Sequence, residues 1–197
     1  MKEGNKFFTD AYSVGLTLDL SKAHYGPHSR TKRYYETTGY YPLLAGLARK
    51  IGAQTAIDIG THYGGSALAL KIGIGLGKGI VVSVDIRQRN AEALKLYPRV
   101  KLITGSSIDP ATVNTVFQSL PEVRADILYI DSFHNYEHTM KNVGIYSEFE
   151  PKFIVFDDIS INDEMKQAWS ELSNKYPSFD ATGLCNRNCG FGALDLR

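Results

Sequence analysis

Five short apolar runs, each followed by a longer stretch of helical character, constrain this chain more than any other feature. They are TAIDIG (55–60), GIVVSVDI (79–86), RVKLITG (99–105), ADILYID (125–131) and KFIVFDD (152–158). Nearly continuous apolar runs of this length suit parallel strands covered on both faces. The intervening GGSALALKIGIG, NAEALKLY, PATVNTVFQSL and NYEHTMKNVGIYSEF are long enough for crossover helices. The alternation predicts an α/β, Rossmann-like, doubly wound sheet. Beyond Asp158 the pattern changes. ISINDEMKQAWSELSNKY predicts a helix capped by Asn162 or Asp163, and SFDATGLC and GFGALDLR, joined by NRNC, predict an antiparallel hairpin. The expected sheet is seven-stranded and mostly parallel, closed by that C-terminal hairpin.

With 197 residues, 43% of them hydrophobic, the chain has material for one sizeable core, so a single domain over 1–197 is expected. Residues 40–197 form its ligand-binding core, opening on the amphipathic helix YYPLLAGLARKIGA (40–53). Residues 1–39, which include the aromatic and basic HYGPHSRTKRYYETTG, are expected to be a lid, a substrate wall or a dimer contact. Lys and Arg total 22 against 21 for Asp and Glu, so the electrostatic footprint of a nucleic-acid binder is missing. No apolar stretch approaches a membrane span and the N-terminus has no leader pattern, so a cytoplasmic protein with no membrane partner is expected. Cys185 and Cys189, without two further ligands, read as reduced thiols.

In an open α/β sheet, ligands bind beyond the carboxyl ends of the strands. The first such turn, DIGTHYGGSA, carries Gly60, Gly64 and Gly65 for close backbone approach, with Thr61 and Ser66 as hydroxyls near a helix N-terminus. These glycines do not fit G-x-G-x-x-G, because His62 stands where its second glycine belongs, and pyrophosphate binding is disfavoured. Asp85 ends the second run, where a carboxylate accepts from ribose hydroxyls. A nucleoside without pyrophosphate satisfies both observations. The later series GIGLGKG lacks the hydroxyl that follows the lysine of a phosphate loop and precedes a strand, so it reads as a connection.

AIDIGTHYGGSALAL, VVSVDI, ITGSSID, LYIDSFHNYEHTMKNV and IVFDDI together resemble the successive motifs of class I S-adenosylmethionine-dependent methyltransferases. Among these they are most similar to the metal-dependent O-methyltransferases of small molecules, including sugars. The resemblance covers about residues 42–197. It implies that Asp58, Gly60, Thr61, Gly64 and Ser66 surround the methionine part of S-adenosyl-L-methionine. It places Asp85 on the ribose, and Ser107 and Asp109 beside the adenine. Alternatives stand beside these roles: Asp109 as a helix cap, Ser107 as a loop hydroxyl, Gly60 as a simple turn.

Asp131 closes the fourth run and Asp157 and Asp158 the fifth. Three carboxylates at neighbouring strand ends repel unless a cation sits among them, and all-oxygen ligation suits Mg²⁺, with Mn²⁺ or Ca²⁺ as substitutes. Such a cation favours the alkoxide of an acceptor hydroxyl, and His134, three residues past Asp131, is the candidate proton acceptor. Catalysis is thus expected from Asp131 and His134. His134, Glu137 and His138 also fit the H-x-x-E-H spacing of a zinc peptidase, a rival reading. His62 is placed either on the methionine carboxylate or in solvent, and His24 and His28 either at the substrate or away from it. The expectation is a Mg²⁺-dependent O-methyltransferase acting on a small hydroxylated acceptor, a sugar or glycoside, and working as a homodimer. A catechol-like acceptor, a nicotinamide oxidoreductase and a non-catalytic S-adenosylmethionine-binding protein are its rivals.

Overall fold

The computed structural model describes residues 3–21, 23 and 39–197. His24 and His28 lie outside the described residues, as does most of the aromatic N-terminal segment. The chain opens with helix α1 (Glu3–Leu16) and, after the undescribed residues, α2 (Tyr40–Lys50). Then β1 (Thr55–Ile59), α3 (Gly65–Ile74), β2 (Ile80–Asp85), the single turn α4 (Ala91–Leu94), β3 (Val100–Thr104) and α5 (Pro110–Ser119) follow. The second half comprises β4 (Ile127–Ile130), α6 (Tyr136–Tyr146), β5 (Phe153–Asp157), α7 (Asp163–Lys175), β6 (Ser178–Asp180) and β7 (Phe191–Asp195).

The seven strands lie in the order β3-β2-β1-β4-β5-β7-β6. β1 to β5 are parallel, whereas β7 runs antiparallel to both β5 and β6. The expected closing hairpin is present, with its last strand inserted against β5. Strand order reverses between β1 and β4, and ligands gather at such a switch point in open sheets.

Alternate strand residues enter two cores. Ala56, Val81, Tyr129 and Val155 face α1, α2 and α3, while Ile57, Val82, Leu128 and Ile154 face α5, α6 and α7. This two-sided burial is why the strands read as continuous apolar runs. Helix α7 begins where Asn162 accepts the backbone N–H of Met165 at 2.8 Å, and it buries Met165, Ala168 and Leu172. Helix α1 packs through the buried Phe8 and Ala11, and through Gly15. Gly46 of α2 meets the Ala11 carbonyl and the Gly15 nitrogen so closely that a β-carbon there would overlap them. Two helices cross here at backbone distance. NAEALKLY, expected to carry a crossover helix, supplies only the four residues of α4. In GIGLGKG, the carbonyls of Lys78 and Gly79 accept from the buried Lys71 amine.

Candidate active site

Beyond β1 the chain turns at Gly60, whose φ of 96° no β-branched or bulky residue tolerates and whose Cα faces the Asp131 carbonyl. Thr61, His62, Gly65 and Ser66 follow along the wall of a cavity of about 700 Å³. Behind them the Asp58 carboxylate, fully buried, accepts the Ser66 hydroxyl at 2.7 Å and the Ser83 hydroxyl, which lies 2.6 Å from that of Thr61. Burial raises its pKa to about 6 against the pull of the two serines. Asp58 therefore braces the turn from behind. Gly64, with φ 85°, stands beside it and faces the Leu94 side chain.

Asp85 lines the same cavity from the end of β2. Its carboxylate accepts the backbone N–H of His62 at 2.8 Å and that of Arg87 at 2.9 Å, which fixes both oxygens. The backbone of His62 thus supports the Asp85 carboxylate, while its ring nitrogen is held below its ordinary pKa by burial and by Arg89. Ser107 also lines the cavity, its carbonyl held by the Tyr146 hydroxyl at 3.0 Å. Asp109 caps α5 instead, accepting the Thr112 backbone N–H at 3.0 Å and hydroxyl at 3.1 Å. Tyr40 and Tyr41, read from sequence only as the start of an amphipathic helix, form another part of the wall.

The far end of the cavity is charged. Asp131 leaves β4 directly, Asp157 ends β5, and Asp158 adopts a left-handed φ of 57°. That turn separates two adjacent carboxylates. Asp158 Oδ2 lies 3.4 Å from His134 Nε2, and Asp131 Oδ1 lies 3.2 Å from the same nitrogen. One ligand atom from each of Asp131, His134 and Asp158 falls within 4.8 Å of the others. Asp157 does not join them. Its two oxygens take Arg187 Nε at 2.9 Å and Arg187 Nη2 at 2.8 Å, and Oδ1 also accepts the Asp158 N–H at 2.8 Å. Arg187 Nη2 reaches Asp158 Oδ1 at 3.0 Å, and its guanidinium lies 5.2 Å from the centre of the Tyr40 ring.

The charges follow this packing. Burial, then the repulsion of Asp131, pushes Asp157 up to about 7 despite Arg187. Burial likewise raises Asp158, with Arg187 opposing it. The hydrogen bond to Asp131 raises His134 against the effect of burial. No short-range sequence signal could have found Arg187, which sits in the turn NRNC and meets a carboxylate 30 residues away.

The H-x-x-E-H residues diverge. His134 precedes Asn135, the cap of α6; Glu137 is exposed and pairs with Lys141 at 2.7 Å; His138 Nε2 lies 3.4 Å from Ser107 Oγ. Both cysteines are free, and burial pushes the Cys185 thiol up to about 12.

Residues 47–179 of the chain, which carry most of this sheet, match the family model described as rhamnosyl O-methyltransferase/CmcI. The chain belongs to that family. It is a class I S-adenosylmethionine-dependent O-methyltransferase. No curated protein sequence matches the methyltransferase. Among solved structures it is similar to the O-methyltransferase TomG from Streptomyces achromogenes, involved in tomaymycin synthesis and in complex with SAM. That likeness has 17% identity and a TM-score of 0.61, covering 100% of each chain. It is also similar to the O-methyltransferase from Bacillus cereus in complex with SAH, at 16% identity and TM-score 0.57, covering 98% of this methyltransferase and 97% of that chain. At such identities the likeness is one of fold. Among the described residues no helix is long and apolar enough to cross a membrane.

Proposed function

We propose that this methyltransferase moves the methyl of S-adenosylmethionine to a hydroxyl of a small polar acceptor, a sugar or glycoside, with a divalent ion, Mg²⁺, held at Asp131 and Asp158. The convergence of Asp131, His134 and Asp158 at one end of the cofactor cavity carries the reading. The donors fit the ion. Two carboxylates supply hard oxygen ligands, and an imidazole nitrogen stands within the same 4.8 Å. Asp157, expected from sequence as a third ligand, supports this group through Arg187 and through the Asp158 N–H.

S-adenosylmethionine supplies an electrophilic methyl on its sulfonium, and the dication a positive charge that favours loss of the acceptor's proton. The protein's part is placement. Asp85 accepts from the ribose, Ser107 borders the adenine, and Gly60, Thr61 and Ser66 enclose the methionine end. Asp131 and Asp158 hold the charged end of the cavity beside them. His134 receives the acceptor's proton as the acceptor oxygen forms the new bond to the methyl carbon, and the carbon–sulfur bond breaks in line.

The sugar class draws on the description of the family, rhamnosyl O-methyltransferase. It also draws on chemistry, since an aliphatic hydroxyl needs more activation than a phenol. A homodimer through the aromatic N-terminal segment and a cytoplasmic location belong to the same proposal, supported by composition. The test is a methylation screen over sugars, glycosides and catechols, with and without EDTA. Methylated sugar that disappears with EDTA and returns with Mg²⁺ is expected. Rates unaffected by the chelator would remove the metal from the mechanism, and methylation of catechols alone would remove the sugar.

A further inference from the structure

We infer that Arg187 is a resident cation that reserves Asp157 and thereby limits how tightly the carboxylate cluster binds a divalent ion. The inference rests on the metal reading above. Arg187 comes from the β6–β7 turn, outside the residues 47–179 that define the family match. It is built into place. Its N–H donates to the Thr182 carbonyl at 3.0 Å, its carbonyl accepts the Gly190 N–H at 3.0 Å, and its side chain is only 10% exposed.

The guanidinium divides the three carboxylates unequally. Both oxygens of Asp157 face it, and that side chain is fully buried, so an incoming ion competes there with a two-pronged, desolvated ion pair. Asp158 gives Arg187 only Oδ1 and keeps Oδ2 towards His134, on the side of Asp131. An ion can use Asp131 and Asp158 without displacing Arg187. It then meets two carboxylates and a neighbouring positive charge, where the sequence alone offers three carboxylates. Repulsion between Arg187 and the dication, in a setting with little water, weakens binding further. Replacing the guanidinium with a neutral side chain removes that repulsion and releases Asp157.

The experiment is a titration of the full chain with Mn²⁺, followed by electron paramagnetic resonance of the free ion. Arg187→Gln is expected to bind Mn²⁺ about tenfold more tightly than wild type or better, because a nearby unit charge is lost. Asp157→Asn, with Arg187 intact, is expected to weaken Mn²⁺ binding, because the guanidinium charge is then uncompensated beside the ion. The double variant should lose the gain of Arg187→Gln. Wild-type binding that Arg187→Gln leaves unchanged or weakens overturns the role of Arg187 alone. So does Mn²⁺ binding in Asp157→Asn that equals or exceeds wild type, a result that does not depend on Arg187→Gln folding. Binding absent from wild type and from every variant defeats the metal reading itself, and this inference with it.

Discussion

Around β1 and β2 the cavity wall is mostly backbone, hydroxyls and one anchored carboxylate beside His62, whereas around β4 and β5 it carries Asp131, His134, Asp158 and Arg187. The first region draws its parts from short stretches of sequence that immediately follow strands. Gly60 and Thr61 come directly after β1, and Asp85 is the last residue of β2. The second depends on distant partners: a left-handed Asp158, an arginine from the closing hairpin and a histidine held between two acids. The first shapes a site by where the chain runs, the second by how charges are shared. Each therefore fails differently when perturbed.

Asp131→Asn strikes the charged region alone. Its kcat/KM should fall about a thousandfold on the proposed mechanism, in which this carboxylate holds the metal and orients His134. S-adenosylhomocysteine affinity, measured by calorimetry, should stay within about threefold. A comparable loss in cofactor affinity would mean that the two regions are not separable.

Asp58 probes the first region. Its folded pKa, about 6, lies above the unfolded value, so the native state binds more protons between about pH 4 and pH 6 and stability declines as pH rises through that window. In denaturant unfolding, wild type should therefore lose ground to Asp58→Asn by on the order of 3 kcal/mol from pH 4 to pH 7. A difference that does not vary with pH would show that Asp58 shares its charge with something other than the two serines.

The smallest effect is expected at the start of α5. Asp109→Ala should cost about 1 kcal/mol of stability, the loss of a helix cap, with cofactor affinity unchanged. Affinity reduced tenfold or more would return Asp109 to the role that family resemblance gives it.

The same division explains what could be read in advance. Strands covered on both faces announce themselves as apolar runs, and the runs placed the sheet to within a residue or two at each end. The residues that follow them, Gly60, Thr61, Ser66, Asp85, Asp131 and Asp158, come to the cavity because strand ends do. Asp58 and Asp109 carry acid side chains in the right neighbourhood, yet local hydrogen bonds to Ser66, Ser83 and Thr112 turn them to bracing and capping. Helix α1 was not expected from sequence; it packs through Phe8 and crosses α2 at backbone distance where Ala11 and Gly15 face Gly46. Arg187 escaped notice because a turn residue's partner is set by the path of the whole hairpin.

Gly60 has a consequence for the spacing of the reaction. Its Cα rests against the Asp131 carbonyl, so the loop that lines the cofactor cavity and the first residue of the charged cluster touch through main chain alone. No rotamer change can alter that separation. On the proposed mechanism the missing β-carbon thus sets how near the turn after β1 lies to Asp131, and even alanine at position 60 would act as a wedge between them.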